Sequence, residues 1–164
     1  MANEITSAEA AEWFSYDANS GLVIWKKSPR IGVMKGDKAG FLKKDGYMAV
    51  KLKGKQYQMH RVVWLLLNGV WPDGDIDHID GNRANNKADN LRDVTRRINS
   101  QNRRGVRKTG TKSGLLGCSY LRGKWQATIN VNGKTQYLGV FSSPEEAHSA
   151  YLNAKRQLHA GCTI

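Results

Sequence analysis

Residues 75–95 read "DIDHIDGNRANNKADNLRDVT". Two short runs, DIDHI and LRDV, flank a stretch crowded with Asn, Asp and Gly. The runs predict short strands with a loop between them, because Asn, Asp and Gly accept turn conformations that other residues resist. Upstream, "HRVVWLLLN" (60–68) predicts a buried helix stopped by Gly69, and "WPDG" (71–74) a turn. Downstream, "TRRINSQNRR" (95–104) predicts a helix with Thr95 as its N-cap. The order is helix, strand, loop, strand, helix.

Carboxylates stand out here because the chain is basic. Lys and Arg number 26 against 14 Asp and Glu, for a net charge of +12 and a pI near 9.9. A field of that sign favours a polyanion, and nucleic acid is the one expected. A chain that only held nucleic acid would keep carboxylates off its contact surface. From Arg96 to Ser113 come Arg96, Arg97, Arg103, Arg104, Arg107, Lys108 and Lys112, with no acid between them. The first four belong to the predicted helix. "GVRKTGTKSG" (105–114) reads as a basic tether, either lying along a DNA backbone or simply solvated.

Several classes are excluded. The longest apolar run, "VVWLLL" (62–67), falls far short of the roughly 20 residues of a membrane span. The start, "MANEITSAEAAEW", lacks the basic opening and apolar middle of a secretory signal. Cys118 and Cys162 are far apart and form no CxxC pair, which argues against structural zinc and a disulfide framework and suits a reducing cytoplasm.

The flanking segments read as small β-rich units. Residues 1–59 predict a helix in "TSAEAAEWF", capped by Thr6 or Ser7, then strands in "LVIWK", "AGFLKK", "YMAVKL" and "KQYQM". Lys43, Lys44, Lys51, Lys53 and Lys55 either meet phosphates or protect strand edges. In residues 114–160, "LLGCSYL", "GKWQATINV" and "KTQYLGVF" predict three strands, with Asn132-Gly133 as a hairpin turn. Trp125, Ala127, Ile129 and Val131 share one face, and Lys124, Gln126, Thr128 and Asn130 the other. "SSPEEAHSAYLNAKRQLHA" predicts a helix with a Ser143–Glu146 capping box and an apolar stripe of Ala147, Ala150, Tyr151, Ala154 and Leu158. Cys118 is expected in the core; Trp13, Trp25, Trp64 and Trp71 are expected there too, with base stacking as the alternative.

Phosphodiester hydrolysis needs a base for water, a divalent cation for the phosphorus centre and leaving oxygen, and a grip on the backbone. Asp77 and His78 end the first strand: a hard oxygen suited to Mg²⁺ or Mn²⁺, and an imidazole neutral near pH 7. Asn90 precedes the second strand and can tie the loop to its own backbone. Asn99, on the basic helix, offers a second metal-binding oxygen if that helix packs across the hairpin. Asp80, Asn82, Asn85 and Asn86 are expected to shape turns. His60 either touches a phosphate or caps and packs, while His148 and His159 are expected to be ordinary surface residues.

"HRVVW", "DHIDGNRANNKADNLRDVT" and "INSQNR", within residues 60–104, resemble the HNH nucleases and their ββα-metal site. The resemblance implies His78 as general base, Asp77 as metal ligand, Asn90 as loop brace and Asn99 in the third position, as in the H-N-N subset typical of phage and intron homing enzymes. "GKWQATINVNGKTQYLGVFSSPEEAHSAYLNA" resembles the AP2 domain, whose polar sheet face enters the DNA major groove. That face here carries Lys124, Gln126, Thr128, Asn130 and Tyr137, with Arg122 nearby.

The expected fold is α+β: a β-rich leading segment and HNH module over 1–104, a basic linker over 105–113, and an AP2-like sheet and helix over 114–164. The expected function is metal-dependent endonucleolytic cleavage of double-stranded DNA, in the phage homing manner, by a cytoplasmic monomer, with a dimer as the alternative and no membrane partner. Mg²⁺ or Mn²⁺ is the expected cofactor. Arg83, Arg92, Arg96, Arg97, Arg103, Arg104, Arg107 and Lys108 are expected to grip DNA. The competing reading is a DNA-binding regulator that keeps both folds without cutting.

Overall fold

In a computed structural model that describes residues 4–103, 105 and 112–163, the chain divides at Thr95/Arg96 into two compact units. The expected DNA contacts Arg104, Arg107 and Lys108 lie outside the described residues.

In the first unit, Thr6 settles the start of α1 (Ser7–Trp13). Its hydroxyl accepts from Glu9 N at 3.1 Å, and the Glu9 carboxylate accepts from Thr6 N at 3.0 Å. Two backbone donors without helical partners are thus satisfied reciprocally. Strands β1 (Phe14–Asp17) and β2 (Leu22–Trp25) form an antiparallel hairpin, and β3 (Phe41–Leu42), β4 (Met48–Leu52) and β5 (Lys55–Gln58) a meander. The helix α2 (Met59–Asn68) follows β5 directly and stops at Gly69, whose φ of 76° is the left-handed conformation glycine takes without strain.

Phe14, Val23, Trp25, Val50, Leu52, Val62, Val63 and Leu65 make one core cluster, and Ile76 and Leu91 join it. Burying each large side chain contributes about 1.5–3 kcal/mol. Ile76 and Leu91 belong to β6 (Asp75–His78) and β7 (Leu91–Val94), which pair antiparallel with Asp77 opposite Arg92 and His78 opposite Leu91. The core therefore anchors the hairpin that carries the Asp-His pair. At its other end, the Asp93 carboxylate accepts from Asp73 N and Gly74 N, both at 2.9 Å.

The second unit begins with α3 (Arg96–Gln101), shorter than the helix expected over 95–104. It closes where Asn102 N donates to Asn99 O, and the buried Asn102 side chain meets the Thr163 hydroxyl. Strands β8 (Cys118–Leu121), β9 (Lys124–Val131) and β10 (Lys134–Phe141) form one antiparallel sheet with β9 central, and α4 (Pro144–Leu158) packs on it through Ala127 and Ala147. Asn132 and Gly133 both take positive φ, the geometry of a tight hairpin turn.

Two expectations need correction. Leu158 is 41% exposed, whereas Lys155, outside the expected stripe, is 1% exposed and donates to Arg103 O at 2.5 Å. A lysine stem is apolar, so it can be buried once a carbonyl receives its head. His148 and His159 are not plain surface residues: a ring nitrogen of each bonds a carbonyl, Leu116 O at 2.7 Å and Asn130 O at 2.8 Å.

Candidate active site

Strand pairing fixes the backbone of Asp77 and His78, and the following loop fixes their side chains. Both residues are buried, 6% and 4% exposed. His78 Nε2 lies 3.2 Å from Asn86 Oδ1. Asn86 Nδ2 donates to Ala84 O at 3.3 Å, which fixes the amide with its oxygen toward the imidazole. An amide oxygen only accepts, so Nε2 carries the proton and Nδ1 the basic lone pair. Burial lowers the proton affinity of His78 and Arg83's charge adds to this, while the Asn86 bond and the charges of Asp80 and Asp77 oppose it. The balance keeps the ring neutral at physiological pH, the state a general base requires.

Asn86 is held in turn by a loop that Asn90 braces. Asn90 Oδ1 accepts from Asp80 N at 2.9 Å, and its Nδ2 donates to Asp80 Oδ1 at 2.9 Å and Asn85 O at 2.8 Å. Its own carbonyl accepts from Ile79 N at 2.9 Å. One side chain thus joins the end of β6 to the start of β7 and closes the intervening loop. Asp80 also accepts from Asn82 N and Asn85 Nδ2, so its carboxyl titrates below the usual range; burial opposes this and is outweighed. Tyr16 Oη donates to Asn86 O at 3.1 Å and ties the loop to β1.

Behind His78 stands an aromatic wall. The His60 ring meets it edge-on with centroids 5.2 Å apart, and Tyr47 packs on both, 5.9 Å from His78 and 5.3 Å from His60. His60 is buried, and its Nδ1 has no hydrogen-bond partner. Burial first, then the charges of His78, Arg61 and Lys43, push its pKa down to about 3. Its ring contacts with Tyr47 and His78 are packing; no hydrogen bond of its side chain caps α2, whose N-cap is Gln58.

Arg92 turns inward. Directly across the hairpin from Asp77, it donates from Nε and Nη2 to Asp77 Oδ2 at 3.0 and 2.7 Å. A charge-assisted fork of this kind neutralises the buried carboxylate and fixes its plane. Arg83 is exposed, with its guanidinium 4.8 Å from the Tyr47 ring centroid.

In the second unit, Asn99, Arg96 and Arg97 lie on α3, with Asn99 half-buried and the two arginines exposed. Arg103 is exposed beyond the helix. Thr128 pairs with Tyr137 and Asn130 with Thr135 across β9 and β10, and Gln126 with Ser119 of β8. Residues directly opposite share a face, so these six line the sheet surface away from Ala127 and Ile129. Tyr137 is 62% exposed there. Lys124 and Arg122 are exposed, Arg122 in the β8–β9 turn.

Among the described residues, no group of three or more His, Cys, Asp or Glu side chains is gathered to hold a metal. The donors on offer are sparser: one carboxylate, Asp77, and amide oxygens. Such a set suits Mg²⁺, which keeps much of its water and takes one or two carboxylates together with substrate phosphate. The site chemistry therefore fits a hard divalent ion.

Residues 57–101 match the HNH endonuclease family. The DNA endonuclease I-HmuI of Bacillus phage SP01 is 44% identical over 64 residues, 36% of this chain and 37% of that protein. Protein 3.8 of Escherichia phage T7 is 41% identical over 83 residues, 49% of this chain and 67% of that protein. The uncharacterized HNH endonuclease L560 of Acanthamoeba polyphaga mimivirus is 32% identical over 119 residues, 68% of this chain and 57% of that protein. The chain thus spans little more than a third of the first of these relatives. No solved structure matches it.

Proposed function

We propose that the chain, whose residues 57–101 match the HNH endonuclease family, is a divalent-metal-dependent DNA endonuclease, a phage homing-type enzyme that nicks one strand. One observation carries the reading: a buried His78, its Nε2 fixed 3.2 Å from Asn86 Oδ1, stands at the end of β6 beside the buried carboxylate of Asp77.

Each residue has a defined task. His78 Nδ1 takes the proton of the attacking water. Asn86 fixes the tautomer. Asn90 keeps Asn86 in place by closing the loop. Asp77, oriented by Arg92, would hold the ion, Mg²⁺ or Mn²⁺, and the HNH resemblance implies Asn99 as the second ligand. That ion, when bound, supplies neutralising charge to the phosphorus centre and the departing 3′ oxygen. The exposed Arg96, Arg97 and Arg103, with Arg104, Arg107 and Lys108 of the 105–113 linker, grip the backbone, and the net charge of +12 supports that role.

The module over 114–164 is an AP2-like DNA-reading domain; a three-stranded sheet with one helix and an exposed polar face supports it. The polar face, with Lys124, Gln126, Thr128, Asn130, Tyr137 and the neighbouring Arg122, finds the site. The phage relatives support action in the cytoplasm of an infected bacterium.

The test is plasmid nicking with Mg²⁺. The native chain is expected to convert supercoiled to open-circular plasmid, because one catalytic motif per monomer cuts one strand. His78→Ala is expected to lose that conversion while still binding DNA. Nicking by His78→Ala at the native rate removes His78 from the mechanism, and DNA binding by the native chain with no cleavage under any divalent ion returns the regulator reading.

A further inference from the structure

We propose that Arg83 holds a phosphate of the cleaved strand beside His78, and that Tyr47, outside the HNH motif, is the positioning residue that keeps its guanidinium there. The proposal rests on the nuclease reading above and adds to it a phosphate subsite and the residue that builds it.

A loop arginine in water ordinarily samples many rotamers and pays for ordering when it binds. Arg83 is already ordered. Its Nη1 donates to Asp45 O at 2.8 Å, and its Cζ lies over the Tyr47 ring at 4.8 Å. An arginine cation stacked on an aromatic face is held by the ring quadrupole while its edge stays available. One of its five N–H groups is used on Asp45, and no carboxylate pairs with it among the described residues. A pre-ordered, exposed, unneutralised guanidinium is the group that recognises phosphate by a forked pair of hydrogen bonds.

Its location gives it a role in the reaction. The ring that carries Arg83 on one contact meets His78 on another, at 5.9 Å between centroids. One aromatic ring therefore separates the fixed cation from the base. A strand whose phosphate receives water at His78 presents that phosphate or its neighbour to Arg83, since successive phosphates rise only about 3.4 Å along the axis. The stage is built by the β3–β4 turn. Lys43 pairs with Asp45 at 2.8 Å, Asp45 Oδ1 accepts from Tyr47 N, and His60 backs the Tyr47 ring.

The test uses the full chain with Arg83→Lys, Arg83→Gln, Tyr47→Phe, Tyr47→Leu and the double variant Tyr47→Leu/Arg83→Gln. Two quantities are read: the dependence of duplex affinity on salt in EDTA, and kcat and KM for plasmid nicking in Mg²⁺. Arg83→Gln is expected to reduce the logarithmic salt slope by about 1, the share of one phosphate contact. Arg83→Gln is also expected to slow nicking at least 10-fold. Arg83→Lys is expected to keep the slope and lose most of the rate, because an ammonium keeps the charge but not the fork. Tyr47→Phe retains the ring and native nicking. Tyr47→Leu loses about 10-fold in kcat/KM with Arg83 present and nothing further in its absence.

An unchanged slope and rate in Arg83→Gln overturns the subsite. Equal losses from Tyr47→Leu in both backgrounds overturn the positioning role and leave Tyr47 as packing for His78. If the native chain fails to nick, the nuclease reading fails, and the salt slope in EDTA still decides whether Arg83 meets a phosphate.

Discussion

Replacing Asn90 with Asp exchanges one NH₂ for an oxygen and tests the loop brace without changing its shape. The Oδ1 that accepts from Asp80 N is retained. The donor to Asp80 Oδ1 at 2.9 Å and to Asn85 O at 2.8 Å becomes an acceptor facing two acceptors. Two unit charges about 4 Å apart repel by about 4 kcal/mol at the effective permittivity near a protein surface. Asp80 is exposed, so solvent screening brings this to about 2 kcal/mol. Loss of the bond to Asn85 O adds about 1 kcal/mol, for a total near 3 kcal/mol at pH 7.5.

The pH dependence carries a definite sign. In Asn90→Asp the new carboxyl holds its proton more tightly when folded, because a protonated oxygen restores the donor. Its folded pKa is raised, the folded variant binds more protons, and its stability rises as pH falls. Asp80 in the native chain behaves oppositely: its carboxyl is lowered, so its contribution is present above the ordinary range and lost on acidification. The gap between variant and native chain therefore narrows, to under about 1 kcal/mol near pH 4.5. Urea unfolding followed by tryptophan fluorescence measures it, since Trp13, Trp25, Trp64 and Trp71 all lie in the first unit. Equal midpoints at pH 7.5, or a gap that widens on acidification, would refute the brace as described.

Other perturbations probe other parts of the molecule. Asn86→Ala removes the acceptor 3.2 Å from His78 Nε2 and is expected to slow plasmid nicking at least 10-fold with duplex affinity in EDTA unchanged; a native rate would show that the tautomer needs no help from Asn86. Gly117→Ala adds a Cβ 2.0 Å from Tyr151 ring carbons at a φ of 74°, so unfolding of the second unit, read by Trp125 fluorescence, is expected to lose about 3 kcal/mol, and an unshifted transition would contradict the packing. His60, with a folded pKa of about 3 against an unfolded value near 6.5, costs nothing above pH 6.5; between those values the unfolded chain binds the extra proton, and stability falls by up to about 1.4 kcal/mol per pH unit as pH drops. His60→Phe is expected to flatten urea-midpoint curves between pH 6.5 and 4, and parallel curves for both proteins would mean His60 is solvated.

The sequence makes local features legible and leaves partner choice largely hidden, and the division follows interaction range. Thr6 with Glu9 and Ser143 with Glu146 announce helix starts because a capping box closes within three residues. DIDHI and LRDV become β6 and β7 because alternation and flanking turn residues act locally. Asn86 escaped because the loop offers Asn82, Asn85, Asn86 and Asn90, all able to shape turns, and only the closed loop decides which amide faces the imidazole. The contacts of Tyr47 and His60 with His78 were hidden for a stronger reason: they come from a turn and a helix whose approach to His78 depends on the packed core. Arg92 differs, because its signal was present. Once the two runs are read as a hairpin with His78 opposite Leu91, the antiparallel register puts Asp77 opposite Arg92, and opposite charges at facing positions pair. Lys155 was open to the same treatment, standing four residues from Tyr151 and eight from the buried Ala147, on one line of the helix. Charge type alone assigns both to solvent or DNA, whereas register and helical spacing assign both to the interior. A basic residue opposite a carboxylate, or in line with a buried stripe, is thus better read as internal before any polyanion is invoked for it.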